Sequence, residues 1–203
     1  MPKKVFQNKF NSRYNLKFCR TLKRSWAPIL WLFFVCGVYF SCQEKSLKPS
    51  DNHHQLKTEL SGVYYLIRHA EKDRTNPENQ DPELTQAGLK RAKLWQSYFD
   101  SIPLKGIYST GYKRTLQTVI PTAAAKSLNP FIYEPLALLD DNFYKKSGAG
   151  HWLIVGHSNT IPILTNTLMN IDTLDDIPDT LNSRLYRVDY TVKPAELNLL
   201  HIE

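Results

Sequence analysis

The chain contains, at residues 62–72, the stretch GVYYLIRHAEK. Its first part, from Val63 to Ile67, consists of β-branched, aromatic and aliphatic residues, which is typical of a strand buried on both faces. The run ends in two polar residues, Arg68 and His69. A cation and a titratable ring directly after a buried strand indicate either a solvated loop or part of a binding site for an anion.

Strand and helix patterns alternate along the chain after this stretch. The spacing of apolar residues predicts three helices, at residues 84–99, 112–128 and 159–169. Short apolar runs predict further strands, at residues 106–108, 131–133, 152–155, 184–192 and 197–202. The alternation predicts an α/β fold, a three-layer α/β/α domain with a mostly parallel central sheet, over residues 62–203.

The first 42 residues have the composition of an export signal. Residues 1–26 hold eight of the 26 basic side chains and no acidic one, so the rest of the chain has 18 basic against 19 acidic side chains. The basic excess therefore lies in the leader, and we predict no nucleic-acid partner for the folded domain. An uncharged run of 17 residues follows, at 26–42. We predict an export leader over residues 1–42 and a polar linker over residues 43–61.

The uncharged run ends in Tyr39-Phe40-Ser41-Cys42, which resembles the cleavage site of a bacterial lipoprotein signal peptide. The resemblance implies that Cys42 is lipidated and becomes the mature N-terminus. An uncleaved membrane anchor is the alternative. Either form places the domain on the periplasmic or cell-envelope side, tethered to the membrane. The other two cysteines, Cys19 and Cys36, also lie in the leader, so the domain has no thiol for a disulfide or a nucleophile.

Polar motifs follow three of the predicted strands. Arg68 and His69 follow the first strand, Arg114 lies shortly after the second, and His157 follows the fourth. The carboxyl ends of parallel strands lie at one edge of a sheet, so these side chains are expected to converge. The N-termini of the following helices add unpaired N–H groups there. Two arginines and two histidines predict a site for a dianion, and phosphate is the natural candidate because guanidinium groups match its oxygens.

Four motifs resemble, in the expected order, those of the histidine phosphatase superfamily, which has the phosphoglycerate mutase-like fold. The motifs are Arg68-His69-Ala70-Glu71-Lys72, the segment of residues 81–88 ending in LTQAG, the segment TGYKRTLQT of residues 110–118, and Gly156-His157-Ser158-Asn159. Together they span about residues 62–170. The resemblance implies a metal-independent phosphomonoester hydrolase of the histidine acid phosphatase type, and the leader makes it an exported, lipoprotein-type member.

The resemblance implies a role for each motif residue. His69 would be the nucleophile, which forms a phosphohistidine that water then hydrolyses. Arg68, Arg114 and His157 would bind the phosphoryl oxygens and neutralise charge in the transition state. These groups supply the positive charge that a metal supplies elsewhere, so the resemblance implies no cofactor and no metal. Residues 70–72 are expected at the rim of the pocket, and the substrate is expected to be a phosphorylated small molecule or a phosphoprotein.

The resemblance leaves the proton donor to the leaving group open. In much of the family a carboxylic acid follows the third strand, where this chain has Glu134. Asp140 and Asp141 are alternatives, as is the absence of a dedicated acid. Only 16 residues, from 135 to 150, separate Glu134 from His151, and family members usually have a longer helical segment there. The short connection predicts a small, open pocket.

Two alternative functions share this fold. A phosphomutase is one, but the run of residues 71–74 after the nucleophile does not resemble the mutase version. A non-catalytic binding module for a phosphorylated ligand is the other, and a missing proton donor would favour it. Three further chemistries lack their motifs: the chain has no G-x-S-x-G elbow, since Thr160 occupies the last place, and neither a phosphate-binding P-loop nor an H-E-x-x-H helix.

Overall fold

The computed structural model describes residues 60–203 and contains six strands and four helices there. The strands are β1 (Val63–Arg68), β2 (Leu104–Thr110), β3 (Phe131–Tyr133), β4 (His151–Gly156), β5 (Arg184–Asp189) and β6 (Glu196–His201). The helices are α1 (Gln86–Phe99), α2 (Lys113–Lys126), α3 (Asp141–Lys146) and α4 (Thr160–Met169). None of these helices has the length and apolar character needed to cross a membrane. The predicted leader with Cys42, and all but the last two residues of the predicted linker, lie outside the described residues.

A single six-stranded sheet forms the centre of the domain, in the order β3-β2-β4-β1-β5-β6. The first four strands in this order are parallel, whereas β5 pairs antiparallel with β1, and β6 pairs antiparallel with β5. Each connection between consecutive parallel strands contains a helix, as a parallel crossover requires. The predicted α/β fold is confirmed, with a mixed sheet whose parallel part carries the motifs.

Strand β1 shows why the domain has three layers. All six of its residues are buried, and successive side chains point to opposite faces of the sheet. Tyr65 and Ile67 belong to the hydrophobic core that contains residues of α1 and α2. Tyr64 and Leu66 belong to the core that contains residues of α3 and α4. A strand of continuous apolar character is therefore the centre of a helix–sheet–helix sandwich.

The observed elements differ from the predicted ones in three respects. Their ends are shifted by up to three residues, as in β5, which ends at Asp189 rather than at residue 192. Helix α3 is not predicted by the sequence pattern, and it begins where the side chain of Asp140 accepts a hydrogen bond from the N–H of Phe143 at 2.8 Å. Leu60, which the composition places in the linker, is buried in the core beneath α3 and α4.

The start of α1 packs against the loop that follows β1. Thr85 precedes this helix and caps it, because its hydroxyl accepts a hydrogen bond from the N–H of Gly88 at 3.1 Å. The N–H of Thr85 in turn donates to the carbonyl of Glu71 at 2.8 Å. Gly88 lies so close to that carbonyl that a Cβ atom would be 2.3 Å from its oxygen. The hydrogen bond of Thr85 and the lack of a side chain at Gly88 thus allow α1 to pack against the loop that carries His69.

We expect Gly88→Ala to lower the free energy of unfolding by about 1–3 kcal/mol, because the added methyl group overlaps backbone that cannot move aside cheaply. Urea denaturation followed by circular dichroism measures this loss. Gly148→Ala is the matched control, since a Cβ atom there meets nothing within 4 Å. Equal losses in the two variants would contradict the packing explanation.

Candidate active site

The four residues singled out by their motifs line one pocket at the carboxyl ends of the parallel strands. Arg68 is the last residue of β1 and His69 follows it, Arg114 lies in the first turn of α2, and His157 directly follows β4. The pocket has a volume of about 340 Å³. Its lining also includes Lys72, Tyr112 and Asp179. The structure thus brings together the side chains that the sequence places in three separate loops.

The backbone around His69 is held by three hydrogen bonds. The N–H of His69 donates to the carbonyl of Gly156 at 2.9 Å, which extends the pairing of β1 with β4 by one residue. The carbonyl of His69 accepts a hydrogen bond from Nδ2 of Asn182 at 2.8 Å. The N–H of Ala70 donates to the hydroxyl of Thr118 at 2.9 Å. A strand, a helix and a loop thereby fix the peptide on both sides of this histidine.

The imidazole of His69 has a defined tautomer and a defined charge. Its Nδ1 lies 2.7 Å from the carbonyl oxygen of Ala70. Since a carbonyl oxygen can only accept, Nδ1 carries the proton and Nε2 keeps its lone pair. Burial lowers the pKa of His69 from 6.5 to about 3, and the nearby charges of Arg68 and Arg114 act in the same direction. The ring is therefore neutral at neutral pH, with Nε2 available as a nucleophile.

Arg68 is held by a loop that no sequence motif marks as functional. Its side chain is only 2% exposed. Nη1 donates to the carbonyl of Pro178 at 2.8 Å, and Nη2 donates to the carboxylate of Asp179 at 2.5 Å. Asp179 also pairs with Arg74 at 3.0 Å. Partial burial raises the pKa of Asp179, but the hydrogen bonds and charges of the two arginines outweigh it and leave the pKa below its usual value.

Arg114 and His157 form a second connected pair. Nη2 of Arg114 lies 3.4 Å from Nδ1 of His157. A guanidinium group can only donate, so Nδ1 accepts and the proton of the neutral ring is on Nε2, which donates to the hydroxyl of Thr110 at 3.0 Å. Burial, together with the charge of Arg114, lowers the pKa of His157 to about 4. Both imidazoles in the pocket are therefore neutral at neutral pH, with their ring centroids 5.6 Å apart.

Other motif residues connect the loops to one another. Oε1 of Gln117 accepts a hydrogen bond from the N–H of Leu84 at 2.7 Å. Oδ1 of Asp81 accepts one from the N–H of Lys113 at 2.9 Å and lies 3.6 Å from Nη1 of Arg114. The segment before α1 is thus tied to the helix that carries Arg114.

The structure places the predicted proton donors beside the pocket of His69 rather than in it. Glu134 and Asp140 line a neighbouring cavity of about 370 Å³ along β3 and α3, and Asp141 lies in the first turn of α3. Within this loop it is Pro135, next to Glu134, that lines the pocket of His69. The role of Glu134 as proton donor stays a prediction.

Cationic groups outnumber anionic ones in the lining of the pocket. Arg68, Arg114 and Lys72 line it, whereas Asp179 is the one carboxylate among its lining residues in the described part of the chain. The Nε–H groups of both arginines are buried and have no acceptor within residues 60–203. Within the same residues, no three histidine, cysteine or carboxylate side chains are grouped as metal ligands. The arrangement suits a dianionic group such as a phosphoryl group.

A comparison with protein families gives one match. Residues 64–140 match the model of the histidine phosphatase superfamily (branch 1). The matched segment contains Arg68, His69 and Arg114, whereas His157 lies beyond it. No curated protein matches the sequence.

Solved structures share the fold at low sequence identity. The protein histidine phosphatase SixA in complex with tungstate is 14% identical, with a TM-score of 0.54, covering 68% of this chain and 96% of its own. A mycobacterial glucosyl-3-phosphoglycerate phosphatase in complex with VO3 is 11% identical, with a TM-score of 0.55, covering 70% and 100%. A protein from Agrobacterium tumefaciens with the candidate name phosphohistidine phosphatase SixA is 20% identical, with a TM-score of 0.50, covering 68% and 97%. At these identities the likeness establishes the fold.

We expect the free energy of unfolding to decrease as the pH falls from about 6.5 towards 4. The pKa of His69 is about 3 in the folded protein against an ordinary value of 6.5, so the unfolded chain binds this proton first and stability rises with pH in that window. Urea denaturation at a series of pH values measures the slope. His69→Asn removes one of the buried rings and is expected to give a smaller slope, and an unchanged slope would contradict a neutral, buried His69.

Proposed function

We propose that this chain is a metal-independent phosphomonoester hydrolase of the histidine phosphatase type, which acts through a phosphohistidine on His69. One observation carries the proposal. The imidazole of His69 is buried and neutral, holds its proton on Nδ1, and lies in one pocket with Arg68, Arg114 and His157. A neutral nucleophilic nitrogen among fixed donors is what in-line phosphoryl transfer needs.

The comparisons support this proposal in two independent ways. The superfamily match covers residues 64–140, which include the nucleophile and both arginines. The fold is shared with phosphatases whose structures were solved in complex with tungstate or VO3. The electrostatics of the described residues agree with both observations, since the pocket is rich in donors and cations.

In the proposed first step, Nε2 of His69 attacks phosphorus and the bond from phosphorus to the leaving oxygen breaks. Arg68 and Arg114 stabilise the negative charge on the phosphoryl oxygens in the transition state. The Nδ1 proton stays hydrogen-bonded to the carbonyl of Ala70, which also stabilises the positive charge that the ring acquires. In the second step, a water oxygen attacks phosphorus, the bond from phosphorus to Nε2 breaks, and inorganic phosphate leaves.

We expect the full chain, solubilised in detergent, to hydrolyse p-nitrophenyl phosphate in the presence of EDTA. His69→Ala is expected to lose activity by about 10³-fold or more, because the attacking nitrogen is removed. Rapid quenching with radiolabelled substrate is expected to trap an acid-labile, base-stable phosphoenzyme in the wild type and none in the variant. His201→Ala is the matched control, because this histidine lies on β6 outside the pocket, and it should keep wild-type activity.

Three outcomes would contradict parts of this proposal. Undiminished activity in His69→Ala would contradict the phosphohistidine route, and loss of activity in EDTA would contradict metal independence. A wild-type chain that binds phosphate without hydrolysing the ester would indicate the non-catalytic binding module instead.

We also propose that the chain is exported and tethered to the membrane through a lipid on Cys42, on the periplasmic or cell-envelope side. The basic residues 1–26, the uncharged run of residues 26–42 and the cysteine at its end support this location. An uncleaved anchor is the alternative form of the same tether. Phosphorylated small molecules or phosphoproteins that reach the cell envelope would then be the substrates.

We expect Cys42→Ala to abolish incorporation of radiolabelled palmitate and to leave the protein at its full precursor mass, because cleavage before this cysteine depends on its lipid. Cys36→Ala, which changes a cysteine in the same run, is the matched control and should be labelled like the wild type. If the wild-type chain is not labelled and keeps its full precursor mass in the membrane fraction, the uncleaved anchor is the correct form.

A further inference from the structure

We propose that Lys72 is a further catalytic residue, whose ammonium group donates the proton to the leaving oxygen. This inference rests on the phosphatase function proposed above. It assigns a residue to proton donation, a role that the arginines and histidines of the pocket do not fill.

Lys72 is held by its backbone at the wall of the pocket. The residue forms an isolated antiparallel bridge with Leu84, just before α1. The next residue, Asp73, donates its N–H to the carbonyl of Glu83 at 2.8 Å. These contacts fix the chain after His69, and the side chain of Lys72 lines the same pocket as this histidine. The charge of Lys72 also lies within electrostatic reach of the second imidazole of the pocket, that of His157, and helps to lower its pKa.

The ammonium of Lys72 is free to act, unlike the other cations of the pocket. Arg68 is bonded to Pro178 and Asp179, and Arg114 is paired with Asp81. The ammonium group of Lys72 has neither a hydrogen bond nor an ion pair within residues 60–203, although its charge interacts at longer range with that of Asp179. A guanidinium group cannot release its proton in a protein, whereas an ammonium group can.

Neither histidine of the pocket has a proton that is free to go to the leaving oxygen. His69 keeps Nε2 without a proton for attack on phosphorus, and its Nδ1–H is bonded to Ala70. In the neutral ring of His157, Nε2–H donates to Thr110 and Nδ1 accepts from Arg114. Neither ring has a proton in place for the leaving oxygen.

The carboxyl groups near the pocket do not fill the role either. Asp179 is bonded to Arg68 and Arg74, which hold its pKa below the usual value, so it is ionised at neutral pH. Glu134 lines the neighbouring cavity. Glu71 accepts a hydrogen bond from Nε of Arg91 at 2.7 Å, away from the lining of the pocket.

The charges around Lys72 favour release of its proton. Burial lowers the pKa of Lys72, and Arg114, Arg74 and Arg68 act in the same direction, opposed by Asp179. A proton donor works best when its pKa lies closer to the working pH. The ammonium is therefore a better acid in this pocket than an exposed lysine is.

The proton balance closes over one turnover. As the bond from Nε2 of His69 to phosphorus forms and the bond to the leaving oxygen breaks, a proton passes from Nζ of Lys72 to that oxygen. Nζ is left as a neutral amine. In the second step this amine takes a proton from the attacking water, whose oxygen bonds to phosphorus as the bond to Nε2 breaks. The ammonium is restored when phosphate leaves.

The test compares two leaving groups in the full chain. p-Nitrophenolate leaves without needing a proton, whereas the alkoxide of β-glycerol phosphate needs one. Lys72→Gln is expected to lose about 100-fold or more in kcat with the alkyl ester and less than about 10-fold with the aryl ester. Lys72→Arg keeps the charge but cannot release a proton, so it should restore no alkyl-ester activity. With the alkyl ester, the kcat of the wild type should decrease at alkaline pH as Lys72 loses its proton. This decrease should be absent in Lys72→Gln.

Lys90→Gln is the matched control, because Lys90 is an exposed lysine on α1 outside the pocket, and it should match the wild type with both esters. Glu134→Gln and Tyr112→Phe are measured in parallel. Thermal melting is recorded for every variant so that a loss of folding is separated from a loss of chemistry.

Two results would overturn the proposal. Equal losses with both esters in Lys72→Gln, restored by Lys72→Arg, would make Lys72 a phosphate-binding residue only. A loss specific to the alkyl ester in Glu134→Gln or Tyr112→Phe, with Lys72→Gln unaffected, would assign the proton to one of those groups. A wild-type chain that hydrolyses neither ester and traps no phosphohistidine contradicts the phosphatase function itself, which is a different failure.

Discussion

The hydrogen bond from Nδ1–H of His69 to the carbonyl of Ala70 is the constraint on which the site depends. It joins adjacent residues, so it forms only if the backbone between them holds one particular conformation. Asn182 and Thr118 impose that conformation by bonding the carbonyl of His69 and the N–H of Ala70. The segment before β5 and the helix α2 must therefore pack against the end of β1 for this conformation to form. The tautomer of His69 follows from this backbone geometry, whereas its neutral charge follows from burial and from the nearby charges of Arg68 and Arg114.

The sequence predicts those parts of the molecule in which a local pattern has one physical meaning. The apolar runs of β1 and β4 are short and flanked by turn residues, as in buried strands, and the apolar spacing of residues 84–99 places the start of α1 to within two residues. The convergence of Arg68, Arg114 and His157 follows from the rule for parallel sheets. Helix α3 is missed because six residues are too few to show a helical period, and the side chain of Asp140 determines its start.

The remaining parts of the site depend on contacts that exist only after folding. Asp179 and Asn182 belong to a segment without a motif, and each acts through one bond to the end of β1. Lys72 lies within a motif, but its place in the lining depends on the bridge to Leu84. Glu134 follows the third strand as expected, yet the turn at Pro135 directs it towards another cavity. Sequence position alone does not say on which side of a turn a side chain lies.

The aspartate beside Arg68 has a consequence for ions in solution. Because the carboxylate of Asp179 already pairs with the guanidinium of Arg68, an anion that binds this guanidinium competes with that carboxylate. The carboxylate is attached to the chain, so its effective concentration does not change with the medium. Chloride brings one charge and no tether, whereas a phosphoryl dianion brings a second charge, which Arg114 can bind. The loop thereby places a tethered carboxylate in competition with any univalent anion that approaches Arg68.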